Sequence, residues 1–162
     1  MEKYFNKKFI INFLIILSIF SLDRFTKIYV ISQNNKNFSS ELFVSEYLNI
    51  NLIWNEGIAF GLFSFDEKFY YNILTILIIL ITIVIFWFII KTNKLERLAF
   101  MMIFAGYLGN IFDRLFYSAV PDFIDFHFKS FHWFIFNVAD IFITLGVVIL
   151  IYCEVFLKKN YE

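Results

Sequence analysis

Cysteine, proline and glycine are scarce in this sequence, occurring once, once and five times among 162 residues. The single cysteine, Cys153, excludes an intramolecular disulfide and gives no cysteine-based metal cluster. Because proline and glycine are so few, no segment has the composition of a flexible linker or a low-complexity tail. Acidic and basic residues cancel to a net charge of zero at pH 7, which argues against a nucleic-acid partner.

Apolar residues dominate the composition instead, making up 60% of the chain and including 25 phenylalanines. Soluble domains have about 45–50% apolar residues. A helix needs about 20 apolar residues to cross the roughly 30 Å hydrocarbon core of a bilayer. Four segments come close to that length, so we predict an all-α membrane protein in one domain over residues 1–162. The predicted transmembrane helices cover residues 9–31, 69–90, 98–115 and 136–157.

The distribution of lysine and arginine predicts the orientation of these helices. No small-residue cleavage site follows the first apolar segment, so we expect a retained helix and not a signal peptide. Cytoplasmic loops carry an excess of basic residues, which here lie at both termini and between the second and third helices. These residues are Lys3, Lys7, Lys8, Lys91, Lys94, Arg97, Lys158 and Lys159. We therefore expect both termini in the cytoplasm and the two longer loops outside.

All six aspartates then fall toward the outer side of the membrane. At 1.5 Å per residue, Asp23 lies about 21 Å along the first helix and Asp113 about 24 Å along the third. Asp140 lies near the outer start of the fourth helix. The three others lie in the outer loops and are Asp66, Asp122 and Asp125. Charged residues within membranes usually face the interior of the helix bundle and are candidates for function.

Two neighbouring carboxyl groups that share a proton can activate a water molecule for hydrolysis. Asp140 has no basic residue within two turns of its own helix and shares a helical face with Asn137. It needs a partner carboxylate, and the residues alone leave three candidates open. These are Asp113, Asp122 and Asp125.

Other polar residues have simpler interpretations. We interpret Asp23 and Lys27, four residues apart on one helix, as a structural ion pair. Neither histidine, His127 or His132, has cysteine or glutamate at zinc-ligand spacing. We interpret them as interfacial residues and expect neither a metal nor a cofactor. A proton carrier would spread its carboxylates through the membrane depth, and a non-catalytic scaffold would not need a pair of them.

Five motifs, in order along essentially the whole chain, resemble those of the lipoprotein signal peptidases, membrane aspartic peptidases of bacterial lipoprotein maturation. They are DRFTK at 23–27, NEGIAFG at 55–61, GNIFDR at 109–114, PDFIDF at 121–126 and FNVAD at 136–140. The last three together are specific, whereas DxxxK alone is a weak signal. Two residues depart from the family pattern: Tyr107 replaces a small residue, and Pro121 replaces a β-branched one.

The resemblance implies that Asp122 and Asp140 are the catalytic pair, acting without a metal. It implies supporting or substrate-binding roles for nine further residues. These are Asp23, Lys27, Asn55, Gly57, Asn110, Asp113, Arg114, Asn137 and Ala139. The implied substrate is a diacylglyceryl-modified prolipoprotein, cut on the N-terminal side of its lipidated cysteine.

The resemblance also implies a location and two structural details. The enzyme would be a monomer surrounded by lipid in the bacterial inner membrane, with its active site at the outer face. A small strand-rich cradle is implied between the first and second helices, where the β-forming residues 42–53 fit it. A short helix is implied between the third and fourth helices.

Overall fold

The computed structural model describes residues 2–37, 41–57 and 68–157. In these ranges the helices are α1 (Glu2–Asn37), α2 (Lys68–Lys91), α3 (Lys94–Tyr117) and α4 (Val138–Tyr152), which continues as a π-helix over Cys153–Leu157. The strands are β1 (Glu41–Val44), β2 (Leu48–Asn55), β3 (Val120–Phe128) and β4 (Phe131–Phe136). Residues 58–61 of the second motif, Asp66, Lys158 and Lys159 lie outside the described residues. The side chains of residues 2–6, among them Lys3, also lie outside the described part of the structure.

Among the described residues, four helical segments are long and apolar enough to cross a membrane, as predicted. They are Lys7–Lys36, Phe69–Lys91, Lys94–Tyr117 and Val138–Leu157. The α1 helix extends beyond the predicted residues 9–31 at both ends, because its polar ends continue the helix without adding to the apolar signal. Large apolar side chains point outward from α2, among them Ile76, Leu80 and Ile83, as expected of a surface in contact with lipid.

Among the helices, α3 packs against each of the other three. Small residues allow α3 and α4 to approach closely. A Cβ atom added to Gly106 would lie 2.6 Å from the carbonyl oxygen of Ala139, and one added to Gly146 would lie 2.7 Å from that of Ala99. This close packing brings the start of α4 against the second half of α3.

The strands form one four-stranded antiparallel sheet in the order β1-β2-β3-β4. The β1 and β2 strands confirm the expected strands between the first two helices. The β2 strand pairs with β3, so that Ile53 lies opposite Asp122 and Asn55 opposite Val120. The sheet therefore joins the connection between α1 and α2 to the connection between α3 and α4.

The prediction of a short helix between the third and fourth helices was wrong. The structure describes all of residues 118–137, and they form β3, a turn and β4. In that turn Lys129 adopts a positive φ of 55°. Pairing with β2 on one side and β4 on the other satisfies the backbone groups of β3. Many of its residues, including Val120, Phe123 and Ile124, also favour strands.

Candidate active site

The β3 strand holds Asp122 in a buried position, with only 3% of the residue exposed. Its two carboxylate oxygens accept hydrogen bonds from two side-chain amides, at 2.9 Å from Asn55 Nδ2 and 2.6 Å from Asn137 Nδ2. Burial, followed by the charge of Asp140, raises the pKa of Asp122 to about 7. Near neutral pH this carboxyl group can therefore both hold and release a proton.

The second carboxylate, Asp140, lies in the first turn of α4 and takes part in its N-cap. The Asn137 side chain accepts a hydrogen bond from the Asp140 backbone N–H at 3.2 Å. The Asn137 backbone N–H donates in return to Asp140 Oδ2 at 3.2 Å, which completes a reciprocal capping box. The other oxygen, Oδ1, accepts from Asn110 Nδ2 at 2.9 Å. The carboxylate is thus held from both sides.

Asn137 joins the two carboxylates. It is fully buried, and its amide nitrogen donates to Asp122 while its amide oxygen and backbone hold Asp140. Of the three partners that the sequence left open, the structure therefore brings Asp122 to Asp140. Asp125 instead lies 2.9 Å from His132 Nδ1, and Asp113 belongs to a separate cluster of charges.

That cluster contains two carboxylates and two cations between α1 and α3. Lys27 Nζ lies 2.7 Å from Asp113 Oδ2 and 3.0 Å from Asp23 Oδ1, which confirms the predicted pair of Asp23 and Lys27. The Arg24 guanidinium binds both oxygens of Asp113 and lies 2.8 Å from Asp23 Oδ2. Both carboxylates are fully buried, and the four charges cancel, as buried charges require.

Arg24 was missing from the predicted site residues. The signal for it was present, since Arg24 is a third charge within an apolar span and such a charge needs a partner. The sequence gave no means of choosing that partner. Asp113 lies 89 positions away in the chain.

Asn110 links the charge cluster to Asp140. Its amide oxygen accepts a hydrogen bond from Lys27 Nζ at 2.9 Å, and its amide nitrogen donates to Asp140. The cluster also reaches α4 directly, because the backbone N–H of Ala139 donates to Asp23 Oδ1 at 3.0 Å. The ion pairs thus position the residues around Asp140.

Gly109 makes room for this arrangement on α3. A Cβ atom at this position would lie 2.5 Å from Asp23 Oδ2 and 3.1 Å from Asp23 Cγ. Atoms at those distances overlap, so any larger residue would displace the Asp23 carboxylate from its position between Lys27 and Ala139. This contact explains in physical terms why the GNIFDR motif begins with glycine.

Arg114 faces away from its neighbour Asp113 and contacts the segment that follows β2. Its guanidinium donates to the carbonyl oxygen of Gly57 and lies 5.4 Å from the centre of the Tyr71 ring. Gly57 in turn donates its backbone N–H to Asn55 Oδ1 at 2.8 Å. This chain of contacts orients the Asn55 amide so that its nitrogen donates to Asp122.

The two departures from the expected motifs are accommodated within the fold. Pro121 is fully buried and lies opposite Trp54 in the β2–β3 pair. It is the second residue of its strand, near the end where proline disrupts a sheet least. Tyr107 is half-buried on α3, between the tightly packed Gly106 and the site residue Asn110. None of the hydrogen bonds to Asp122 and Asp140 described above involves Pro121 or Tyr107.

Comparisons with known proteins agree on one family. The family model described as signal peptidase (SPase) II matches residues 15–156. A lipoprotein signal peptidase of Pelagibacter ubique (strain HTCC1062) is 50% identical over 160 residues, covering 99% of this chain and 96% of that protein. A lipoprotein signal peptidase of Francisella tularensis subsp. mediasiatica (strain FSC147) is 39% identical over 152 residues, covering 91% and 93%.

Solved structures show the same similarity in three dimensions. One bacterial membrane enzyme superposes with a TM-score of 0.75 at 33% sequence identity, covering 93% of this chain and 91% of its own. A second superposes with a TM-score of 0.71 at 32% identity, covering 90% and 92%. The similarity therefore extends over the helices and the sheet together.

Proposed function

Because the chain belongs to the signal peptidase II family, we propose that Asp122 and Asp140 are the catalytic pair of a membrane-embedded aspartic endopeptidase. The chain is a multi-pass bacterial membrane protein, and its family is one of lipoprotein-processing peptidases. The observation that carries the proposal is the shared residue Asn137, which contacts both carboxylates. Such an arrangement suits two groups that act on one water molecule.

In the proposed reaction the two carboxyl groups share one proton. The ionised group accepts a proton from water, whose oxygen attacks the scissile carbonyl carbon. The protonated group donates to the carbonyl oxygen and stabilises the charge that develops there. Proton transfer to the amide nitrogen then breaks the C–N bond and releases the two peptides. Because Asp122 has a pKa of about 7, the pair is suited to hold one proton near neutral pH.

The substrate we propose is a prolipoprotein whose cysteine carries a diacylglyceryl group, cut on the N-terminal side of that cysteine. Its acyl chains would remain in the bilayer, and its signal helix would lie beside the four helices. The apolar outer surface of the bundle suits such a substrate, since the exposed side chains of α2 include Ile76, Leu80 and Ile83. The sheet would form a cradle beside the site, with β3 carrying Asp122.

We place the site at the outer face of the inner membrane, with both termini in the cytoplasm. The basic residues Lys91, Lys94 and Arg97 lie at the opposite end of α3 from Asp113. The 16 residues from Arg97 to Asp113 correspond to about 24 Å of helix, most of the thickness of the hydrocarbon core. Basic residues mark the cytoplasmic side, so the carboxylates belong to the other side.

The proposal is tested by processing of a diacylated prolipoprotein with purified protein in lipid-containing micelles. The Asp122→Asn and Asp140→Asn variants should each lose about 10⁴-fold or more in kcat, as enzymes do when one member of a catalytic unit is removed. Asp125→Asn is the matched control, because it makes the same change three residues from Asp122 in a carboxylate that binds His132. It should retain most of the activity.

Folding of each variant is checked by circular dichroism and size-exclusion chromatography. Near-normal processing by folded Asp122→Asn or Asp140→Asn protein would refute the assignment of the pair. Complete loss in Asp125→Asn, with the fold intact, would show that the wrong partner had been chosen for Asp140.

A further inference from the structure

We propose that Asp125, His127 and His132 form a binding site for a divalent late transition-metal cation, with Zn²⁺ as the representative ion. The site lies on the β3–β4 hairpin and is separate from the Asp122–Asp140 pair. It does not depend on the proposed peptidase reaction, for which no metal is required. The sequence interpretation of the two histidines considered cysteine and glutamate as further ligands but overlooked Asp125.

The hairpin brings the three side chains together. His127 and His132 are cross-strand partners in the β3–β4 pair, and their rings stack with centroids 5.0 Å apart and an interplanar angle of 18°. Asp125 lies two residues before His127, and its carboxylate oxygens lie 2.9 and 3.1 Å from His132 Nδ1. One potential ligand atom from each of the three residues lies within 4.8 Å of the others.

The three ligands form a set that suits zinc, copper or nickel. Imidazole nitrogen and carboxylate oxygen bind these ions, whereas Mg²⁺ and Ca²⁺ prefer sites made of oxygen alone. Zinc bonds of about 2.0–2.2 Å in tetrahedral geometry place neighbouring ligand atoms about 3.3 Å apart. The present separations, from 2.9 Å to at most 4.8 Å, bracket that value, so modest side-chain rotations would close the site. Water would complete the coordination.

The burial of these groups also favours an ion. Asp125 is only 2% exposed, so its carboxylate gains little from water and benefits from a positive partner. Nδ1 of His127 is buried and has no hydrogen-bond partner among the described residues. A buried nitrogen left without a partner destabilises the fold. The cluster therefore contains a buried anion and an imidazole nitrogen that is not committed to another bond.

The backbone supports the cluster from the neighbouring strand. The N–H of His127 donates to the carbonyl oxygen of Tyr47 at 3.0 Å, and Asp125 lies opposite Asn49 of β2. The ligands from β3 are therefore anchored to a second strand, whereas His132 comes from β4 at the edge of the sheet. A bound cation would link β4 to β3, the strand that carries Asp122.

The chain offers a direct test, because His127 and His132 are its only two histidines. Full-length protein purified without a histidine tag and labelled with ¹⁵N-histidine is titrated with ZnCl₂ in micelles, and the imidazole nitrogens are observed by NMR. Both imidazoles should shift together with saturation at one zinc per chain, as calorimetry can verify independently. MgCl₂ at the same concentration should leave both signals unchanged.

Three variants assign the ligands. His127→Gln and His132→Gln should each abolish specific zinc binding. Asp125→Asn should weaken it by at least about tenfold, since losing even an outer partner of a zinc ligand has that effect. Glu96→Gln is the matched control, because it also neutralises one carboxylate but lies near the start of α3, and it should bind zinc as the wild type does.

The absence of any zinc-dependent shift in either wild-type imidazole at millimolar zinc would overturn the proposal without reference to any variant. Zinc binding that persists in the His127→Gln/His132→Gln double variant would also overturn it, by locating the ion elsewhere. Equal shifts with Mg²⁺ and Zn²⁺ would show only a general response to charge, and would contradict a transition-metal site.

Discussion

Lys27 provides the sharpest test of how the charge cluster supports the site. Its Nζ lies 2.7 Å from Asp113, 3.0 Å from Asp23 and 2.9 Å from the amide oxygen of Asn110, and its side chain is only 1% exposed. Lys27→Met keeps most of the length of the side chain and removes its charge. The variant leaves two fully buried carboxylates with Arg24 as their remaining cation in the cluster, so the cluster acquires a net charge of −1.

The structure sets the size of the expected effect. Removing one partner of a buried ion pair typically costs about 3–5 kcal/mol, and Asn110 also loses the donor to its amide oxygen. We therefore expect the free energy of unfolding to fall by about 3–5 kcal/mol. The charge of Lys27 also lowers the pKa of Asp122. In the variant the pKa of Asp122 should rise further above about 7, and the alkaline limb of the activity profile should move to higher pH.

Unfolding is followed by circular dichroism during titration of mixed micelles with a denaturing detergent. Lys7→Met is the control, since it makes the same change at an exposed residue of α1 and should alter stability little. The Lys27→Met/Asp113→Asn double variant should be more stable than Lys27→Met, because it returns the cluster to a net charge of zero. If Lys27→Met lowered the free energy of unfolding by less than about 1 kcal/mol, the typical value for an exposed pair, this reasoning would be refuted. It would also be refuted if the destabilisation of the double variant equalled the sum of those of Lys27→Met and Asp113→Asn.

Two further predictions concern the carboxylate pair. Asn137→Ser keeps an N-cap for α4 but lacks the amide that donates to Asp122. The kcat should therefore fall, while the free energy of unfolding stays within about 1 kcal/mol of the wild type. Asn137→Ala removes the cap as well and should lower both kcat and stability. Equal kcat in the Ser variant and the wild type would contradict the role of this amide. The pKa of Asp122 is raised to about 7, so the pair loses its shared proton as the pH rises through that region, and kcat measured against pH should decline on the alkaline side. A rate that stays constant well above neutral pH would contradict proton sharing.

The sequence predicted the four helices because each is a long apolar run, and α2 is matched almost to the residue. The reciprocal N-cap of Asn137 and Asp140 was not predicted and is seen only in the structure. The β3 strand was missed because its pairing with β2 is a contact between distant segments, and the β4 strand was missed because it is stabilised by pairing with β3. The helix expected there came from resemblance alone and had no local periodicity to support it.

The charged residues show the same limit. An apolar span containing Asp23, Arg24 and Lys27 indicates that partners must exist, but no local pattern selects Asp113 on another helix. The choice of Asp122 over Asp113 and Asp125 likewise followed from resemblance. In the structure Asp122 contacts Asn137, whereas Asp125 contacts His132.

The pairing of β2 with β3 has a consequence for how the protein acquires activity during synthesis. Asn55 and Asp122 are 67 positions apart, and Asp140 follows later still, so β2 is made long before its partner strand. Contacts between such distant segments form slowly, because the chain loses loop-closure entropy before it gains the contacts. The ribosome must therefore synthesise the chain through Asp140 before Asp122 and Asp140 can be brought together.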